Sequence, residues 1–167
     1  MRGIDHRLPL RNEKPMPNCS QLMTHQPVFC LASDTVDRAA QLMRQEDAGS
    51  LPVIENHQNK KLLGIITDRD IALKVVADKR DGGSTRAQEV MTRNPVTCRA
   101  DYDLQVALDS MASHQVRRIP VVDDKNQVVG IISQSDVATR VSEPARTAQL
   151  VKGISESSNK SSTARLR

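Results

Sequence analysis

Two short runs place a hydroxyl three residues ahead of a carboxylate, directly behind an apolar stretch. The first is Gly64-Ile65-Ile66-Thr67-Asp68-Arg69-Asp70 and the second is Gly130-Ile131-Ile132-Ser133-Gln134-Ser135-Asp136. The apolar half of each reads as a buried strand, the polar half as the first turn of a helix. Backbone N–H groups at such a turn lack intrahelical partners, and the positive end of the helix attracts phosphate. Thr67 and Ser133 add a hydroxyl there. Asp70 and Asp136, one turn along, can accept two sugar hydroxyls at once. A carboxylate aimed at phosphate would repel it, so the two groups must address different parts of one ligand. The same spacing also caps a helix with no ligand at all. The residues alone leave both readings open.

Other chemistry finds less support. No Ser-His-Asp or Cys-His order falls on matched elements, so a catalytic role is not expected. Asp68 and Asp70 are two apart and do not share a helix face, which argues against paired acid/base work. Cys30, Cys98, His25, His57 and His114 show no metal-ligand spacing. A small apolar cysteine near the contact between copies is the expected role of Cys30 and of Cys98.

The elements that must position the two turns form an internal repeat. Leu22 to Val28 (LMTHQPV) matches Val90 to Val96 (VMTRNPV), and Ser50 to Ile54 (SLPVI) matches Arg118 to Val122 (RIPVV), both at an offset of 68. The glycine runs match at 66, because the first hairpin loop is two residues longer. Each copy predicts a short helix before Met-Thr, an extended piece, and a helix with a one-faced apolar stripe. That stripe is Val36, Ala39, Ala40 and Met43 in the first copy and Leu104, Ala107, Leu108 and Met111 in the second. Two strands and a final helix follow, from Asp68 to about Ala77 and from Gln134 to about Val141. The class is α+β, two tandem β-α-β-β-α repeats. The expected divisions are a disordered tail 1–17, repeat 18–77, linker 78–85, repeat 86–141, a short packing helix 142–155 and a disordered tail 156–167. Thr85 with Gln88 resembles a capping box, so the second copy's first helix is expected to start there.

Composition narrows the partners. The chain has 167 residues with one Phe, one Tyr and no Trp, so the core is aliphatic. A flat ligand ring would be gripped by aliphatic side chains and backbone. An aromatic platform for single-stranded nucleic acid is absent. The formal charge of +4 lies largely in the tails, and no basic run marks the core, so a nucleic-acid partner is not expected. No apolar run approaches the roughly 18 residues of a membrane span. The N-terminus lacks an apolar leader, and three cysteines without CxxC spacing suit the reducing cytoplasm.

The LMT/VMT openings, LPV/IPV strands and GIITxxD/GIISxxD turns, recurring in order over residues 18–141, resemble the CBS domain family. Two such copies form a Bateman module, and the chain is similar to stand-alone bacterial two-CBS proteins. The resemblance implies two copies packed about a pseudo-two-fold axis, with two clefts between them that often bind adenine nucleotides. It also implies a homodimer, with an unidentified protein effector reading the bound state. In nucleotide-binding members the matching Asp holds the ribose and the matching Ser/Thr lies by the phosphate, which carries over to Asp70, Thr67, Asp136 and Ser133. The Asp70 cleft would gain Val96, Cys98, Val116 and Arg118, with Arg118 as phosphate ligand. The Asp136 cleft would gain Val28, Cys30, Gly49 and Ser50, with Ser135 partly compensating for the missing arginine. Arg117 and Arg118 also read as a pair of solvated surface charges. The expected function is a non-catalytic sensor of AMP, ADP, ATP or an adenosyl ligand in the Asp70 cleft. The alternative is a dimeric scaffold with empty or metal-occupied clefts.

Overall fold

The computed structural model of the protein describes residues 17–140. The expected tails, the helix at 142–155 and the end of the last repeat helix at Val141 lie outside the described residues, Pro17 apart. The first copy contains α1 (Cys19–Leu22), β1 (Thr24–His25), β2 (Cys30–Leu31), α2 (Val36–Gln45), β3 (Ser50–Ile54), β4 (Leu62–Thr67) and α3 (Asp68–Ile71). The second contains α4 (Ala87–Val90), β5 (Thr92–Arg93), β6 (Cys98–Arg99), α5 (Leu104–His114), β7 (Arg118–Val122), β8 (Val128–Ser133) and α6 (Gln134–Arg140).

Local chemistry accounts for the main elements. Thr35 Oγ1 accepts from the Arg38 N–H at the start of α2, and Asp103 Oδ1 accepts from the Gln105 N–H at the start of α5. The α5 stripe of Leu104, Ala107, Leu108 and Met111 is fully buried. In α2, Val36, Ala39 and Met43 are buried but Ala40 is exposed, and half-buried Leu42 packs in its place. The larger side chain wins the edge of the stripe, where an alanine has little apolar area to remove from water. The helix after Thr67 is not regular to its end. Beyond Ile71 it widens into a π-helical turn, Ala72–Val76, closed by the Ala77 N–H on the Ala72 carbonyl.

The expected capping box at Thr85 and Gln88 does not form. Helix α4 starts two residues later, and Glu89 Oε1 accepts from the Arg86 N–H at 2.8 Å. Thr85 is buried because its backbone is needed elsewhere: its N–H donates to the Asp81 carbonyl and its carbonyl accepts from the Val36 N–H.

The strands form two four-stranded sheets, ordered β2-β3-β4-β5 and β1-β8-β7-β6. The lead segment of each copy therefore belongs to the other copy's sheet. Thr24 and His25 pair with Ile131 and Gly130, while Thr92 and Arg93 pair with Ile65 and Gly64. The helices follow. Cys19, Leu22 and Met23 are buried among Cys98, Leu104, Leu108, Met111 and Ile132, whereas Ala87, Val90 and Met91 are buried among Val36, Ala39, Leu51 and Ile66. The packed units exchange their leading helices relative to the copies seen in sequence.

This exchange explains the motif glycines. A Cβ on Gly64 would lie 2.6 Å from Met91 Sδ and 2.7 Å from the Thr92 carbonyl oxygen, and a Cβ on Gly130 would collide with Met23 Sδ. A third apolar cluster joins the two sheets from repeat-related residues, Ile54 with Val122 and Leu62 with Val128. The hairpin loops also pair across the join, the Leu62 N–H to the Asn126 carbonyl and the Val128 N–H to the Lys60 carbonyl. This arrangement is the pseudo-two-fold packing that the resemblance implies.

Gly64→Ala is expected to lower stability by about 1–3 kcal/mol, the usual range for overpacking, because a backbone carbonyl cannot swing aside. Gly130→Ala meets mainly the flexible Met23 side chain and should cost less. Urea unfolding of both variants checks the order, and equal losses would show that the methionines alone set the fit.

Candidate functional site

Strand β4 runs without a break into α3. At the junction Thr67 Oγ1 accepts from the Asp70 N–H at 3.0 Å. Asp70 Oδ2 accepts from the Thr67 N–H at 3.0 Å and from its hydroxyl at 2.7 Å. The second turn repeats this. Asp136 Oδ2 accepts from the Ser133 N–H at 2.9 Å and from its hydroxyl at 2.5 Å, and Ser133 Oγ accepts from the Asp136 N–H at 3.1 Å. Both turns are complete reciprocal caps.

The first turn differs from expectation in one respect. Its amides are not waiting for an anion. The Asp68 N–H donates to the Gly49 carbonyl, the Arg69 N–H to Asp68 Oδ1 and the Asp70 N–H to Thr67 Oγ1. Thr67 is consumed as a cap, so phosphate binding here must come from side chains. Asp70 keeps acceptor capacity, since a carboxylate offers about four lone-pair positions. Its Oδ1 pairs with Lys74 Nζ at 2.8 Å, and the Asp70 side chain is only 14% exposed. Lys74 is fixed in turn by the Val90 carbonyl at 2.6 Å.

The first cleft has a volume of about 1470 Å³ and brings together Thr67, Asp70, Val96, Val116 and Arg118 as the sequence predicts. Arg69 and Arg117 line it as well. Among the described residues, Arg118 has no carboxylate within ion-pair distance, and its side chain is half-buried. It lies against Gly49: a Cβ there would sit 3.4 Å from both guanidinium nitrogens and 3.0 Å from Asp68 Oδ2. Arg118 is therefore not a solvated surface charge, although Arg117 is exposed.

The second cleft, about 240 Å³, contains Val28, Ser50, Ser133, Ser135 and Asp136 as expected. Several assignments change. Gly49 lines the first cleft rather than the second. Arg118, Ser50, Ser133 and Ser135 line both, so the two clefts share a wall where β7 starts opposite Ser133. Cys30 and Cys98 line neither, but each packs against the lead segment of the other copy, Cys30 with Ala87, Val90 and Met91 and Cys98 with Cys19, Leu22 and Met23. Each faces inward from a two-residue strand into its own core. Sequence reasoning missed Glu46 and Asp47 in the second cleft. The repeat offset itself could have found them, since they stand where His114 and Gln115 stand in the first.

Burial pushes the Cys30 thiol up to about 12, helped by the Asp34 carboxylate. Cys98 is raised by its hydrogen bond with Cys19 and by burial. Among the described residues no group of three or more His, Cys, Asp or Glu side chains could hold a metal ion, and no helix is long and apolar enough to cross a membrane.

Comparison with known proteins gives one family. The CBS domain matches twice, at residues 19–77 and 87–143. The CBS domain-containing protein YhcV of Bacillus subtilis is 40% identical over 123 residues, covering 74% of this chain and 84% of YhcV. The CBS domain pair of MJ0100, solved with 5-methylthioadenosine and S-adenosyl-L-methionine, superposes with a TM-score of 0.67 at 29% identity, over 74% of this chain and 94% of that one. CBSX2 solved with AMP gives 0.61 at 25% identity, over 81% and 98%. Hypoxic Response Protein I of Mycobacterium tuberculosis, solved with two coordinated zinc ions, gives 0.68 at 31% identity, over 75% and 99%.

The thiolate is the reactive form of cysteine, so Cys30 at pH 8 is expected to resist a disulfide reagent in the native protein. Cys98 should behave alike, whereas Cys19, held below the usual thiol range by its hydrogen bond with Cys98, is protected by burial alone. All three should titrate once the chain is unfolded in guanidinium. Rapid native labelling of Cys30 would contradict its burial.

Proposed function

The chain belongs to the CBS domain family, and from that premise we propose that it is a non-catalytic sensor of a phosphate-bearing adenine nucleotide, held in the cleft of Asp70 and Arg118. The carrying observation is Arg118, a half-buried residue. It has no carboxylate partner among the described residues and shares one cavity with Asp70. A desolvated guanidinium is a strong site for phosphate, which it meets with paired N–H donors. Relatives of the same fold hold AMP and adenosyl compounds, which supports the choice of base and sugar.

In this reading Asp70 accepts the ribose diol with the capacity its cap leaves free. Taking both hydroxyls displaces Lys74 from Oδ1, and Lys74 retains the Val90 carbonyl. Because Val90 lies on exchanged helix α4, the diol is coupled to the packing between copies. Val96 and Val116 flank the base with aliphatic surface. Arg118 swings toward the phosphate, with Arg69 and Arg117 adding charge at the rim. Thr67 acts by fixing the Asp70 rotamer. The nucleotide shifts the balance between two arrangements of the copies only by its differential affinity for them. A homodimer read by a protein effector is the form in which such a shift would be used. The complete caps at both turns favour a second reading, an interaction scaffold that needs no ligand.

Calorimetry with AMP, ATP and adenosine tests this. Asp70→Ala is expected to weaken all three. Arg118→Ala should weaken AMP and ATP by about ten- to a hundredfold, as for a lost hydrogen bond to a charged group of 1.5–3 kcal/mol, while sparing adenosine. No heat with any of the three, from folded nucleotide-free protein, would leave the scaffold reading standing.

A further inference from the structure

The exchange of lead segments puts a pair of thiols in one core and a single thiol in the other. Helix α1 is seated on the second copy by two backbone bonds, the Cys19 N–H to the Tyr102 carbonyl at 2.8 Å and the Ser20 N–H to the Ala100 carbonyl at 2.9 Å. Helix α4 is seated on the first copy by the same two bonds at the offset of 68, the Ala87 N–H to the Asp34 carbonyl at 2.8 Å and the Gln88 N–H to the Ala32 carbonyl at 3.1 Å. The strands beneath carry the repeat-related Cys98 and Cys30. Cys98 therefore shares its core with Cys19, whereas Cys30 shares its core with Ala87.

The two thiols touch. The Cys98 thiol donates to the Cys19 sulfur, which holds Cys19 below the usual thiol range, while the same bond and burial push Cys98 up. The Cys19 thiol in turn points at the Asp103 carbonyl oxygen, 3.9 Å away. Cys19 is 0% exposed and Cys98 3%, so a bulky reagent is kept out. The cover over them is thin. Helix α1 is a single turn, with Ser20 half-buried and Gln21 exposed. One turn held by two backbone bonds opens locally at low cost and admits an oxidant little larger than water.

We propose that Cys19 and Cys98 are a thiol–disulfide site, oxidised by hydrogen peroxide to a bridge that staples the lead segment of the first copy to the second copy. The Cys19 sulfur takes one peroxide oxygen as the O–O bond breaks, giving a sulfenic acid and one water. The Cys98 sulfur then attacks the Cys19 sulfur, the S–O bond breaks, and hydroxide leaves as a second water with the Cys98 proton. Two thiols lose two electrons and one peroxide gains them. The bridge closes a long loop and restrains the unfolded chain. It also holds Met23, which directly follows α1, against Gly130. This inference stands apart from the nucleotide reading of the first cleft.

The test treats the full chain with hydrogen peroxide, alkylates the remaining thiols and maps the peptides by mass. A peptide pair joined through Cys19 and Cys98 is expected, with Cys30 recovered as an alkylated thiol. The bridged protein should unfold at higher urea than the same protein after dithiothreitol, which reopens a disulfide and leaves other oxidation in place. Cys19→Ala reproduces a pairing the fold already accepts, that of Ala87 with Cys30. In that variant Cys98 should stay a thiol, and dithiothreitol should leave the urea midpoint of the treated protein unchanged. Ala87→Cys should give Cys30 a bridge of its own under the same treatment. Sulfinic acid on Cys19 with no bridge in the wild type, or a bridged protein that unfolds at lower urea than its dithiothreitol-treated form, overturns the inference.

Discussion

The close approach of Met91-Thr92 to Gly64, and of Met23 to Gly130, is the constraint on which the rest of the molecule depends. Only a residue without a side chain lets the neighbouring segment lie flat against the central hairpin. That contact completes each sheet with a strand from the opposite copy and brings its helix into the opposite core. It also fixes the clefts. Asn94, Pro95 and Val96 directly follow the exchanged strand β5 and enter the first cleft, while Pro27 and Val28 follow β1 and enter the second. A glycine on the central hairpin thereby determines which residues of the other copy enter the cleft.

The helix-starting turns show how one carboxylate can serve two roles. Asp70 and Asp136 close caps that stand without a ligand, so the position of each carboxylate is fixed in advance. In the first turn the amides are already satisfied, so in the proposed reading an anion would be met by Arg118 instead. Electrostatic selection thus rests on side chains that differ between the copies, while the backbone frame is shared.

Much of this was legible in the sequence. The duplicated turns, the Val/Ile strands and the α5 stripe were fixed by short-range pattern, while the grouping of Asp70 with Val96, Val116 and Arg118 followed from the resemblance to the CBS family. The exchange of lead segments was not legible. Strands of two residues carry no periodicity, and nothing local in Thr24-His25 names Ile131 and Gly130 as partners. The place of Ala40 and the capping of α4 turned on neighbours distant in sequence, and so did the inward facing of the cysteines. Glu46 and Asp47 of the second cleft were present in the letters throughout. They emerge only when compared with His114 and Gln115 at the repeat offset.

The exchanged strands also set the order in which a growing chain can become native. The first sheet lacks its edge until Thr92 and Arg93 have been synthesised, and its core lacks Val90 and Met91. Strand β1, made early, waits for Ile131, more than a hundred residues downstream. Neither half can finish on the ribosome by itself, and contacts of such long sequence separation slow folding. The chain reaches its native state late and as a whole, so an interrupted synthesis leaves unpaired edges rather than a folded half.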